Sequence, residues 1–249
     1  MIKIKTNENI KQSMDKKGRL FLIPSPIGDE DSQSFSPNTI DVIRSLDNFL
    51  VERARTARRF ISMIGHTKEI RLLRFMEMDK HDQYLITDEA KNLLKSGVNV
   101  GLLSEAGPPC LADPGNLVVK WAHENDIQVK PIGGTSSIIS ALIASGMNGQ
   151  QFTFHGYLPA KKEQLIPVIK KLEHISKKTG ASQIFIEAPY RNVQVLNSLL
   201  DGLSKNTRLC IACNLHTEEE FISTKEVLKW KKLILPELHK KPCVFIFEA

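Results

Sequence analysis

The residues best suited to chemistry fall in six short stretches: PSPIGDEDS (24–32), SEAGPPCLADPG (104–115), GGTSS (133–137), HGYLP (155–159), EAPYR (187–191) and NLHTEEE (214–220). They combine glycine and proline, which bring backbone close to a ligand and hold it stiffly, with a few carboxylates and hydroxyls. Glu105 and Glu187 are the carboxylates placed to take a proton, and His155 is a further candidate. Any one such stretch is ordinary turn chemistry. Six of them on one edge imply a cleft.

The chemistry is bounded by motifs that do not occur. There is no G-x-x-x-x-G-K-[ST] for a nucleotide triphosphate and no H-E-x-x-H for zinc. The turn after the first strand is PSPIGD, with one glycine, where a dinucleotide fold would carry G-x-G-x-x-G. No G-x-S-x-G elbow is present. Cys210 and Cys213 form a C-x-x-C inside RLCIACNL, an apolar run that reads as a strand. Their spacing puts them on opposite faces, so packing is expected and no metal. What is left is a ligand held mainly through backbone groups.

These loops need elements to position them. Apolar runs at 19–25, 48–53, 99–104, 127–132, 151–157, 182–188, 208–215 and 242–249 read as strands. Helical patterns at 36–46, 88–97, 136–146, 162–178 and 191–203 separate them. Ser36 is placed as an N-cap with Pro37 behind it, and Asp113 with Pro114 as the start of a helix after the long loop. The run 136–146 is almost wholly apolar and is expected to be buried. The alternation gives an α/β fold with mostly parallel sheets in two domains, 19–148 and 151–249, meeting at the polar stretch MNGQQ. Residues 1–18 read as a flexible tail. Each loop then lies beyond the carboxyl end of a strand, where ligands bind in open α/β sheets.

The 249 residues are 41% hydrophobic and carry a net charge of +6, which suits a polyanionic partner. Seven Lys and Arg residues gather in 52–75, among them Arg55 and Arg58, candidates for holding phosphates. Four cysteines are too few for a disulfide scaffold, which points to the cytoplasm, and no run is long enough to span a membrane.

IPSPIGD, SEAGPPCLADPG, PIGGTSS, HGYLPAK and IEAPYR occur in the order seen in the tetrapyrrole methylase superfamily. Over residues 19–249 the chain most resembles the branch of ribosomal RNA small subunit methyltransferase I. The resemblance implies two α/β domains with S-adenosylmethionine (AdoMet) bound in the cleft between them, and a homodimer. It implies methylation of a ribose 2′-hydroxyl in 16S rRNA. By resemblance, Pro26, Gly28, Ser104, Glu105, Ala106, Thr135 and Ser136 approach the cofactor. Ile186, Glu187, Leu215 and Cys243 match positions that close over its adenosine. Glu105 and Glu187 are the candidates for the chemical step, the latter beside Arg191. The sequence departs from the family's S-D-A-G-T-P at Glu105 and Pro108. It departs from E-D-T-R at Arg53 and Ala54, and from P-G-P at 133–135. These departures bear on the substrate, and a small-molecule methylase or a non-catalytic AdoMet- or RNA-binding paralogue are the other readings.

Overall fold

The computed structural model describes residues 16–28, 35–79 and 84–249. Most of the expected tail at 1–18 and the distal part of the loop at 24–32 lie outside the described residues. At the tail's end, the Gly18 amide donates to the Leu94 carbonyl at 2.8 Å. The chain divides into two units between Thr135 and Ser136, ahead of the polar stretch at 147–151. Among the described residues no helix is long and apolar enough to cross a membrane.

The first unit is built on a parallel sheet of β1 (Arg19–Ile23), β2 (Asn48–Val51), β3 (Arg74–Glu77), β4 (Val100–Leu103) and β5 (Gln128–Pro131), in the order β3-β2-β4-β1-β5. Alternation of side chains fills both faces. Ile23, Phe49, Val51 and Leu103 pack against α1 (Pro37–Arg44) and α2 (Ala54–Met63). Leu20, Leu50, Val100 and Leu102 pack against α3 (Asp88–Lys95) and α4 (Asn116–Glu124). Helix α1 begins as its sequence predicts, with the Ser36 hydroxyl accepting from the Thr39 amide at 3.2 Å and Pro37 in the first turn. Helix α4 does not begin as expected. Gly115, at φ 128°, occupies its N-cap without a side-chain bond, so Asp113 does not cap it. The order of strands matters most for function. The chain runs from β1 out to β2 and β3, then returns to insert β4 beside β1, and finally adds β5 on the other side. The carboxyl ends of β1 and β4 are thus neighbours at the point where the winding reverses.

The second unit carries β6 (Phe152–Tyr157), β7 (Ser182–Glu187), β8 (Arg208–Cys213), β9 (Phe221–Glu226) and β10 (Cys243–Glu248), in the order β6-β7-β10-β8-β9. Only β6 and β7 run parallel, and the pairs β7–β10, β10–β8 and β8–β9 are antiparallel. The α/β class holds in both units, but parallel order prevails only in the first. The reason lies in the connections: residues 214–220 join β8 to β9 directly, too short a link for the crossover a parallel pair needs. One face is covered by α6 (Lys162–Thr179), α7 (Asn192–Gly202) and the short α8 (Val227–Trp230). Helix α5 (Ser137–Ser145) packs against the strands β7 to β10. It is not wholly buried as its composition suggests. Ile138, Ala141 and Leu142 are covered, whereas Ile143 is 78% exposed.

Candidate active site

The loop after β1 and the long loop after β4 are fastened to each other. Ser25 and Gly107 exchange two backbone hydrogen bonds, each 2.9 Å, in an isolated antiparallel bridge. The Ser25 hydroxyl donates to the Ser104 carbonyl at 2.6 Å, and the Ser104 hydroxyl to the Gly107 carbonyl at 2.7 Å. Both serines are about 5% exposed, so their side chains serve the loop itself. Gly107 sits at φ 70°, a left-handed conformation that costs a residue with a Cβ about 1 kcal/mol. Cys110 and Ala112 take the same conformation at φ 69° and 67° without being glycine. The twelve-residue connection is therefore a folded structure under local strain.

The loop after β5 is held by a close approach. A Cβ on Gly134 would stand 2.1 Å from Pro24 Cγ. The Thr39 hydroxyl donates to the Gly133 carbonyl at 3.1 Å. The Thr135 carbonyl lies near Gly107, 3.8 Å from where its Cβ would be. Gly134→Ala is expected to lose about 1–3 kcal/mol by overpacking, measured by chemical denaturation.

Between the fastened loops and α2 lies a cavity of about 310 Å³. Ser25, Pro26, Ile27 and Gly28 form one wall and Ser104, Glu105 and Ala106 another. Helix α2 contributes Thr56, Ala57, Arg59, Phe60 and Met63. The Thr56 hydroxyl donates to Glu105 Oε2 at 3.2 Å and orients the carboxylate. The cavity so gathers Pro26, Gly28, Ser104, Glu105 and Ala106 of the expected site. Arg55 and Arg58 are exposed on α2 but do not line it, and the Arg58 guanidinium stands 5.2 Å from the Phe75 ring centre. Thr56 and Arg59 were not singled out by composition. Their signal is the helical spacing 56, 59, 60, 63, which shares one face.

Asp113 lies close enough to feel Glu105. Burial, and then the Glu105 charge, push its carboxyl up to about 6 from 3.8. The folded protein therefore binds this proton more tightly than the unfolded chain does. The resulting stabilisation is full below pH 4 and is lost as pH rises toward 6. Wild type minus Asp113→Asn is expected to show that decline in denaturation midpoints measured from pH 4 to 7. The Cys110 thiol, pushed up to about 11 by burial, is protonated at neutral pH.

In the second unit the expected residues collect at one end of the sheet. Cys243 opens β10 opposite both Glu187 on β7 and Cys213 on β8, and Ile186 faces Val244. Leu215 follows β8 and is buried, as is Cys243. The Glu187 side chain is 1% exposed and pairs with Arg191 Nη1 at 3.3 Å. Its Oε1 accepts from the Ala188 amide at 2.8 Å, while Oε2 is buried without a hydrogen bond. Arg191 also donates to the Pro159 carbonyl at 2.8 Å. The Cys243 thiol acts on Cys213, holding it below the usual thiol value, and is itself pushed up by that contact and by burial. Ser136 caps α5, accepting from the Ile139 amide at 3.5 Å. The His155 ring bonds Gln183 at 2.8 Å. The half-buried Ser140 hydroxyl contacts the His216 ring at 2.9 Å.

No protein-family model matches the sequence. The chain is 33% identical over 183 residues to ribosomal RNA small subunit methyltransferase I of Mesomycoplasma conjunctivae, covering 74% of this chain and 72% of that one. It is 32% identical over 216 residues to the protein of that name from Bacillus subtilis, covering 86% and 70%. The chain belongs to the ribosomal RNA small subunit methyltransferase I family. Its fold is that of the tetrapyrrole methylases. The crystal structure of the methyltransferase CobJ superposes with a TM-score of 0.58 at 16% identity, over 93% of this chain and 94% of that one. As a member of this family, the protein is a methyltransferase that uses AdoMet.

The residues present suit that cofactor. AdoMet carries an ammonium, a carboxylate, a sulfonium cation, a ribose diol and an adenine. The first unit offers Glu105 for cations or hydroxyls, Arg59 for a carboxylate, and Ile27, Phe60 and Met63 as apolar walls. Ala106 is exposed in the cavity wall, where its backbone is approachable.

Proposed function

We propose that the protein methylates a ribose 2′-hydroxyl of 16S rRNA in the small ribosomal subunit. The observation that carries this reading is the Glu105 carboxylate, lining a cavity at the β1–β4 winding reversal and oriented by Thr56. When bound, AdoMet supplies an activated methyl group. The protein's task is then to align a hydroxyl and remove its proton. Glu105 receives that proton. Ser104 and Ala106 present backbone to the cofactor, with Pro26, Gly28, Thr135 and Ser136 as its further neighbours. Arg55, exposed on α2 outside the cavity, engages the phosphates flanking the target ribose. Ile186, Leu215 and Cys243 are the second unit's candidates for contact with the adenosine. Glu187 and Arg191 act together as a buried pair that frames the loop at 187–191.

The family membership of the relatives supports an RNA substrate, and the net charge of +6 is in keeping with one. The test uses labelled AdoMet with small subunits from cells lacking the modification. Label in 16S rRNA, at one position newly resistant to alkaline cleavage, is the expected result. Intact cofactor binding with no transfer to subunits or to free rRNA would overturn the proposal.

A further inference from the structure

The positive charge is unevenly shared. Residues 136–249 hold fifteen Lys and Arg against ten Asp and Glu, while residues 1–135 hold nineteen against eighteen. The second unit thus carries +5 of the net +6, although the run of arginines that dominates the sequence lies in the first.

Much of this excess lies on the helical face of the second unit. Lys170, His174 and Lys177 recur at helical spacing on α6 and line a shallow depression with Gly202 and Ser204 from the end of α7. Lys177 Nζ donates to the Ser204 hydroxyl at 2.9 Å, which ties the two helices at this point. Lys205 is exposed next to it, and its carbonyl accepts from the Leu228 amide at 2.9 Å. That bond brings α8 alongside, with Lys229, Lys231 and Lys232 all exposed. A basic stripe therefore runs from α6 across the 202–205 turn to α8.

The carboxylates nearby do little to neutralise it. Glu173 is 6% exposed and turned inward. It accepts from the Ser204 amide at 2.7 Å, from the Ser204 and Thr207 hydroxyls, and pairs with Lys177. Glu226 pairs with Lys229 at 3.3 Å. Asp201 is exposed beside Lys231 in the neighbouring depression. Lys170, Lys205, Lys231 and Lys232 have no ion-pair partner among the described residues.

We propose that this stripe is a second RNA-docking surface, which holds the phosphate backbone of folded rRNA apart from the nucleotide being methylated. The occupant follows from charge complementarity. Flexible lysines spread over three elements, without aromatic platforms, suit the backbone of a structured RNA better than exposed bases. The inference rests on the rRNA reading above. It adds that affinity for the substrate is supplied largely by the second unit, and chemistry by the first.

The test compares wild type with Lys170→Glu/Lys205→Glu, and separately with Lys231→Glu/Lys232→Glu, using small subunits and stripped 16S rRNA. The second pair lies on a different element and keeps the test decisive if the first fails to fold. Each pair is expected to raise KM for RNA about tenfold or more, leaving kcat at saturation and AdoMet binding unchanged. The slope of log affinity against log salt should fall by about 1.5–2. Unchanged KM and salt slope in both pairs, with wild type active on RNA, would overturn the docking surface alone. So would loss of binding to intact subunits with binding to stripped rRNA unaltered, since the partner would then be a ribosomal protein. Failure of wild type itself to methylate RNA would instead remove the functional reading on which the surface depends.

Discussion

Glu105→Gln is expected to lower the rate of methyl transfer about 10²–10⁴-fold, the range over which a positioned general base contributes. The amide keeps the size of the side chain and can still accept from Thr56, so the cavity should retain its shape. It cannot accept the substrate's proton at any accessible pH. Cofactor affinity separates this role from simple binding: a base leaves AdoMet affinity within a few-fold, whereas a cofactor ligand does not. Glu105→Asp provides the complementary measurement, because aspartate is the residue the family motif carries here. It should retain activity within about tenfold of wild type, since Asp is shorter but chemically equivalent. Single-turnover rates at saturating RNA, with calorimetric AdoMet binding, would decide the matter. A Gln variant as active as wild type would remove Glu105 from the chemistry.

Arg191→Met should cost about 3 kcal/mol or more of stability. The substitution leaves Glu187, 1% exposed, as a buried carboxylate with one backbone partner. Removing one member of a buried pair is far more costly than removing both, because the remaining charge has lost its compensation. It also removes the bond to the Pro159 carbonyl that links the connection after β6 to the loop after β7. The double variant Glu187→Gln/Arg191→Met is therefore expected to recover a substantial part of the loss. Urea denaturation of the four proteins in the cycle gives the coupling directly. A loss in the double variant equal to the sum of the two single losses would show that the pair contributes nothing as a pair.

Strands with at least one fully buried face were legible as apolar runs, and β4, buried at every position, is the clearest case. The two strands not anticipated, β3 and β9, are both at sheet edges. RFME buries one residue of four, and FISTKE is partly exposed throughout, so neither leaves a hydrophobic run to read. Strand direction in the second sheet was also hidden, because an apolar run is the same read either way. Helix α5 shows the opposite failure: composition suggested burial on all sides, but the structure covers only one face. Glycine and proline marked the loops that follow β1, β4 and β5. The pairing of Ser25 with Gly107 joins residues far apart in sequence, and nothing local announces it. Thr56 and Arg59 were within reach of the sequence. Attention to arginine content selected 55 and 58, while the spacing that faces the loops is 56, 59, 60 and 63.

The paired amides of Ser25 and Gly107 give the long loop an unusual place in the hierarchy of motions. Amides in loops ordinarily exchange with solvent through small local openings. These two are bonded to each other across adjacent strand ends, and the flanking serine hydroxyls close the same ring. They should exchange with the central strands β1 and β4, over minutes to hours, and not with the outer residues 108–113. The inner part of the connection is then, dynamically, a continuation of the sheet. Any rearrangement that admits a bulky acceptor must come from the outer residues or from α2, while the carboxylate of Glu105 keeps a fixed frame of reference.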